Sequence, residues 1–164
     1  MFGEIRNQQG ETLDYTVHSG ESRSDFIVII GHGVTGNKDR PLVVALAEGL
    51  EAAGIPALRM SFSGNGDSGG AFVDCIITKE TGDLGSVIDA VGGRRICYVG
   101  HSMGGAVGVN RATTDLRIEA LVSLAGMVHT EEFARCEFGE ETPDAGFMWG
   151  EERCPLSTIY MNDM

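Results

Sequence analysis

The residues of this chain most able to do chemistry are Gly100-His101-Ser102-Met103-Gly104, which place a serine between two glycines. The apolar residues 95–99 predict a buried strand before this motif, and the small and apolar residues 103–112 predict a helix after it. A serine on such a tight strand-to-helix turn presents its hydroxyl to solvent, and glycines are needed because larger side chains would crowd the turn. The pattern predicts that Ser102 is a nucleophile. The alternative is a serine that occupies a tight turn and does no chemistry.

A nucleophilic serine that attacks an acyl group also needs hydrogen-bond donors for the oxyanion that forms. The first is the backbone N–H of the residue after the nucleophile, here Met103. The second is expected from a loop that follows an earlier strand. Residues 31–39 form such a loop between an apolar run and a predicted helix, and we expect the N–H of Val34 to be the second donor.

The elements that must position these groups alternate along the chain. Apolar runs predict strands at 25–30, 55–62, 96–100 and 118–124. Helical periodicity predicts helices at 38–54, around 84–91 and at 103–112, and Asp39 is expected to cap the first of them. A hairpin is predicted over residues 3–17. This alternation is typical of an α/β fold, with a mostly parallel sheet and helices on both faces. We predict one domain over residues 1–164.

Composition excludes several classes of function. The formal net charge of −12 disfavours nucleic acid and anionic membranes as partners. Neither a membrane-spanning apolar run nor a signal-like N-terminus is evident, so a cytoplasmic location is expected. The four cysteines show no metal-ligand spacing and are expected to be free and buried. No metal or organic cofactor is expected.

Three motifs together resemble those of α/β-hydrolases, of the small esterase, lipase-like and serine-aminopeptidase-like group. They are His32-Gly33, the loop Ser61 to Gly70, and the Ser102 turn. In the second motif Ser63 stands where the family usually has an arginine. The resemblance implies an α/β-hydrolase fold, with Ser102 as nucleophile and Val34 and Met103 as oxyanion donors. It also implies a small-molecule acyl substrate, and it gives His32 a structural role.

The resemblance also implies an acid and a histidine after the serine, and the sequence offers only weak candidates for both. His129 follows the 118–124 strand too early for the family's base, and Asp163 lies in a segment more typical of a helix than of the acid-bearing strand. Residues 130–164 are predicted to begin a lid, and for residues 130–153 a surface loop containing one short helix is the alternative. The chain thus resembles a hydrolase truncated at its C-terminus.

Truncation would leave strand 118–124 as an exposed apolar edge, through which the chain could self-associate.

Three functional hypotheses stay open at this point. The first is a serine hydrolase of esters, thioesters or amides that works through an acyl-enzyme. The second is an inactive fragment or pseudoenzyme that serves as a binding module. The third is a site completed by a partner chain.

Overall fold

A five-stranded sheet forms the centre of the protein. The computed structural model describes residues 2–20 and 25–164, so Met1 of the predicted domain lies outside the described residues. In spatial order the strands of this sheet are β3 (Tyr15–His18), β5 (Ala57–Met60), β4 (Phe26–Gly31), β6 (Arg95–His101) and β7 (Ile118–Leu124). Strand β3 is antiparallel to its neighbour and the other pairs are parallel. The predicted α/β class is confirmed.

The predicted hairpin over residues 3–17 is correct only for its first part. Strands β1 (Ile5–Arg6) and β2 (Thr12–Leu13) pair antiparallel, with Ile5 opposite Leu13. Strand β3, which follows at once, instead pairs with β5 in the main sheet.

Helices cover both faces of the sheet. They are α1 (Pro41–Ala52), α2 (Ile77–Ala90), α3 (Met103–Ala112), α4 (Thr130–Phe138) and α5 (Thr158–Asp163), with 3₁₀ turns at Phe72–Asp74 and Met148–Gly150. Helix α3 and strand β7 have the predicted bounds. Among the described residues, no helix combines the length and the apolar character that crossing a membrane requires.

The protein has two hydrophobic cores, one on each face of the sheet, and the side chains of β4 alternate between them. Ile27 and Ile29 join the core under α2 and α3, whereas Val28 and Ile30 join a second core under α1. Successive side chains of a strand point to opposite faces. The unbroken apolar run of β4 therefore reflects a strand that is buried on both sides.

The predicted cap of α1 is wrong. Arg40 precedes the helix and makes no side-chain cap. The Asp39 carboxylate instead forms ion pairs with Lys38 and Arg59. Two cations in reach of one carboxylate outcompete the helix amides, because charge-assisted hydrogen bonds are stronger than those to a neutral N–H.

All four cysteines are free, as expected, but their predicted burial is only partly correct. Cys75 and Cys154 are buried and Cys97, within β6, is half-buried. Cys136 is exposed, because it lies on the solvent side of α4.

Strand β7 forms one edge of the sheet, and the predicted exposure of this apolar strand is confirmed. It pairs with β6 on one side, and in the described part of the chain no strand lies on the other. Leu121 and Val122 are 38% and 42% exposed.

Residues 130–164 fold back over the core. Residues 130–153 contain one α-helix, α4, and a 3₁₀ turn, and α5 follows in the segment for which the sequence favours a helix. A lid and a surface loop with one short helix both stay predictions for residues 130–153. Phe138, Met148, Leu156 and Tyr160 are buried in the same core as the sheet. Burial of these four side chains fixes the segment to the body of the protein.

Candidate active site

Ser102 occupies a strained turn between β6 and α3. Its backbone angles are φ 52° and ψ −119°, a conformation that costs a residue other than glycine roughly 1–3 kcal/mol. Three backbone hydrogen bonds hold the turn. The Ser102 N–H donates to the carbonyl of Leu124 at 3.0 Å, and the Ser102 carbonyl accepts from Gly105 at 2.9 Å and from Met127 at 3.1 Å.

Close packing under and beside this turn requires glycine at two positions. The Tyr98 hydroxyl donates to the Gly104 carbonyl at 3.0 Å, and a Cβ at Gly104 would collide with the His32 carbonyl. A Cβ at Gly33 would lie 2.9 Å from the Ser102 Cβ. The loop after β4 therefore touches the serine turn directly, as the sequence predicts for a site built from these two segments.

The two amides predicted as oxyanion donors lie on these same segments. Met103 is the first residue of α3, where an N–H has no acceptor within the helix. Val34 is half-buried and follows Gly33 directly. Within residues 2–20 and 25–164 neither N–H donates a hydrogen bond to another group of the chain. Both amides are therefore free to bind an oxygen atom.

His32 has a structural role. Its Nδ1 lies 2.8 Å from the Gly33 carbonyl, and its Nε2 accepts from the Phe62 N–H at 3.0 Å. Burial lowers the pKa of the ring to about 4, with a smaller contribution from the positive charge of Arg40. The ring is neutral at pH 7, and both of its nitrogens are engaged. It therefore cannot take a proton from Ser102.

Among the described residues, no other histidine forms a hydrogen bond with the Ser102 hydroxyl either. His101 lines the Ser102 cavity but is its immediate chain neighbour. His129 is exposed and lies outside that cavity, and His18 is bonded to Glu51 and Arg59 near the far edge of the sheet. Asp163 accepts from the Thr78 N–H at 2.9 Å and so binds the first turn of α2. Neither His129 nor Asp163 lines the cavity that contains Ser102.

The loop in which Ser63 replaces the family's arginine packs on a buried acidic pair from α2. The Ser63 N–H and the Asn7 side-chain amide both donate to Asp83 at 2.8 Å. Glu80 is fully buried, and neither of its oxygens has a hydrogen-bond partner among the described residues. Burial raises the pKa of Glu80 well above its usual value, and the charges of Asp83 and Asp163 add to the effect.

A cavity of about 510 Å³ opens above Ser102. Its walls come from the 31–36 loop, the start of α1, and the folded-back segment. That segment contributes two aromatic side chains, Phe133 and Trp149, and Arg40 contributes a positive charge to the described lining. No sequence motif marks Arg40. In the described part of the chain, no cluster of three or more His, Cys, Asp or Glu side chains could hold a metal ion.

Comparison with protein-family models identifies a family for most of the chain. A family model described as "Alpha/beta hydrolase family" matches residues 20–157. A search of the curated proteins by sequence found no match.

Several solved structures are similar. Est1E from Butyrivibrio proteoclasticus, solved with ferulic acid, is 27% identical with a TM-score of 0.73 over 82% of this chain and 57% of its own. Mouse alpha/beta hydrolase domain-containing protein 10 is 26% identical with a TM-score of 0.63 over 76% of this chain and 48% of its own. A Xanthomonas campestris serine hydrolase without a lid, XC6422, is 25% identical with a TM-score of 0.64 over 73% of this chain and 58% of its own. The chain thus spans about half to three-fifths of the length of these proteins.

Proposed function

The chain belongs to the alpha/beta hydrolase family, and from this premise we propose that it acts on a carboxylic ester, thioester or amide through an acyl-enzyme on Ser102. The Ser102 Oγ attacks the carbonyl carbon, and the carbonyl electron pair moves to the oxygen. The Val34 and Met103 N–H groups stabilise that oxyanion. Collapse expels the leaving group, and water then hydrolyses the acyl-enzyme. The observation that carries the proposal is the strained conformation of Ser102, at φ 52°, against the loop that holds Val34.

The cavity favours a substrate with an aromatic or apolar group. Phe133 and Trp149 line it together with aliphatic side chains such as Leu42 and Val43. Est1E, the relative at 27% identity, was solved with ferulic acid, which is an aromatic acid. We propose that residues 130–164 act as the lid of this cavity, because both aromatic side chains belong to that segment.

Proton transfer is the missing part of the reaction. A serine hydroxyl is a weak nucleophile until a base removes its proton, and within the described residues none of the four histidines forms a hydrogen bond with Ser102. Loss of the histidine from a catalytic triad costs on the order of 10⁶ in kcat. We therefore propose that residues 1–164 alone hydrolyse esters very slowly, and that the base comes from another segment or a partner chain.

Labelling with a fluorophosphonate probe tests the role of Ser102. We expect slow labelling, located at Ser102 by peptide mass spectrometry, that disappears in Ser102→Ala. Ser123→Ala, at an exposed serine of β7, is the matched control and should label like the unaltered chain. Labelling that survives Ser102→Ala would contradict the proposal. Rapid p-nitrophenyl butyrate hydrolysis that Ser102→Ala abolishes would instead show that a base is present.

A binding module without catalysis is the second candidate, and the placement of the histidines favours it. In that case the probe would not react with Ser102, although apolar esters would still bind saturably to the cavity. Trp149, the only tryptophan of the chain, lines the cavity and can report such binding through its fluorescence.

A further inference from the structure

We propose that Arg40 recognises an anionic group on the substrate, so that the preferred ligand is an ester that carries a second, negatively charged group. The inference rests on the proposed function and names the substrate class for the same site. It begins from the position of Arg40, which lines the cavity that contains Ser102.

Arg40 is unusual among the cations of this acidic chain. The sequence has 24 acidic and 12 basic residues, and most of the described Lys and Arg side chains form ion pairs with carboxylates. The cations paired in this way are Arg6, Lys38, Arg59, Lys79, Arg95, Arg111, Arg117 and Arg153. Within the described residues Arg40 has no carboxylate in ion-pair range.

The neighbours of Arg40 explain this free charge. Asp39, the adjacent residue, binds Lys38 and Arg59 instead. One terminal nitrogen of Arg40 donates to the Thr35 carbonyl at 2.9 Å, and this bond ties the guanidinium to the loop that carries Val34. A guanidinium has five N–H donors. Several therefore remain for a ligand, in a side chain that the protein already orients.

Two cavities meet at Arg40. The first is the mostly apolar cavity above Ser102. The second is a polar cavity of about 550 Å³ lined by residues such as Asn37, Asn65 and Arg153, and also by Asp39, whose carboxylate is paired with Lys38 and Arg59. Arg40 lines both. An ester held at Ser102 with its apolar part against Phe133 and Trp149 can extend a charged end toward the polar cavity, past this guanidinium. An uncharged acyl chain would leave the positive charge without a partner.

The fluorescence of Trp149 provides the test. Monobenzyl glutarate and its primary amide, benzyl glutaramate, have nearly the same size and differ by one negative charge. We expect the carboxylate to bind about fivefold tighter than the amide, since a charge-assisted hydrogen bond at an exposed arginine contributes on the order of 1 kcal/mol. Arg40→Gln should remove this preference, and Arg40→Lys should keep part of it.

Arg135→Gln is the matched control. Arg135 is an exposed arginine of α4 outside the cavity, and its loss changes the net charge equally. The preference for monobenzyl glutarate should survive in this variant. Equal binding of the two ligands, no saturable fluorescence change, or a preference unchanged in Arg40→Gln would overturn the inference. A preference unchanged in Arg40→Gln would indicate that the ligand carboxylate binds the Val34 and Met103 amides instead of Arg40.

Labelling of Ser102 separates this inference from the proposed function. If Ser102 does not react with the fluorophosphonate but the Arg40-dependent preference is present, the hydrolase proposal fails and the anion site stands. If Ser102 reacts and the preference is absent, only the anion site fails.

Discussion

Replacing Ser102 by glycine should make the protein more stable, although the change removes the proposed nucleophile. The backbone of Ser102, at φ 52° and ψ −119°, matches the first central position of a type II′ turn, where glycine predominates. Alanine keeps the Cβ that makes this conformation unfavourable. The informative comparison is therefore between Ser102→Gly and Ser102→Ala, since both variants lose the hydroxyl.

The magnitude follows from two opposing effects. A residue other than glycine in such a conformation costs roughly 1–3 kcal/mol. Glycine costs roughly 0.5–1 kcal/mol more than alanine in chain entropy on folding. The difference predicts that Ser102→Gly is more stable than Ser102→Ala by about 1 kcal/mol, within a range of roughly 0–2.5 kcal/mol.

Urea unfolding of the two variants measures this difference, and Ser86 provides the control. Ser86 lies within α2, where glycine should be less stable than alanine by roughly 1 kcal/mol. The sign of the glycine–alanine difference should thus reverse between positions 102 and 86. A Ser102→Gly variant no more stable than Ser102→Ala would refute the view that the turn stores strain.

Three further changes test other parts of the structure. Gly33→Ala should reduce fluorophosphonate labelling severalfold and destabilise the folded protein by about 1–3 kcal/mol through crowding. Gly49→Ala, at an open site in α1, is the control and should stabilise the folded protein by roughly 1 kcal/mol. Equal effects of the two changes in urea unfolding would contradict this prediction. The raised pKa of Glu80 means that the folded state holds this proton more tightly. The free energy of unfolding should therefore fall by up to about 1.4 kcal/mol per pH unit as pH rises from the pKa of Glu80 in the unfolded chain toward its pKa in the folded protein. Glu80→Gln should lack this pH dependence in urea unfolding between pH 5 and 8. The same dependence of unfolding free energy on pH in both proteins would count against the prediction. We propose that the chain self-associates through β7. Val122→Lys should then shift its sedimentation toward that of a monomer, whereas Val17→Lys, on the opposite edge strand, should not. A monomeric unaltered chain would exclude self-association through β7.

Hydrophobic patterning predicted the framework of the fold well, because a strand such as β4 is buried on both faces. The apolar runs behind β4 and β7 and the small residues of α3 carry strong local signals. The errors occur where a distant partner decides the outcome. Asp39 resembles a helix cap, but Lys38 and Arg59 engage it. Strand β3 follows a hairpin in sequence, yet it pairs with β5.

The candidate site was predictable only where a short motif encodes it. The glycines around Ser102 identify the turn, since the turn conformation itself requires them. The cavity is different, because its walls depend on how residues 130–164 place Phe133 and Trp149 beside Ser102. Neither Trp149 nor Arg40 has a sequence neighbour that indicates its place beside Ser102. Their roles follow from tertiary packing, which periodicity cannot report.

The structure separates the positioning of the nucleophile from its activation. The conformation of Ser102 is held by backbone bonds to Leu124, Gly105 and Met127, and none of these bonds involves a titratable side chain. Geometry and oxyanion donors can therefore be complete while proton transfer is absent. A base that reached Ser102 from elsewhere would meet a serine already in the strained conformation that we propose for the nucleophile. The conformational cost would have been met in folding, so such a base would need only to be correctly placed.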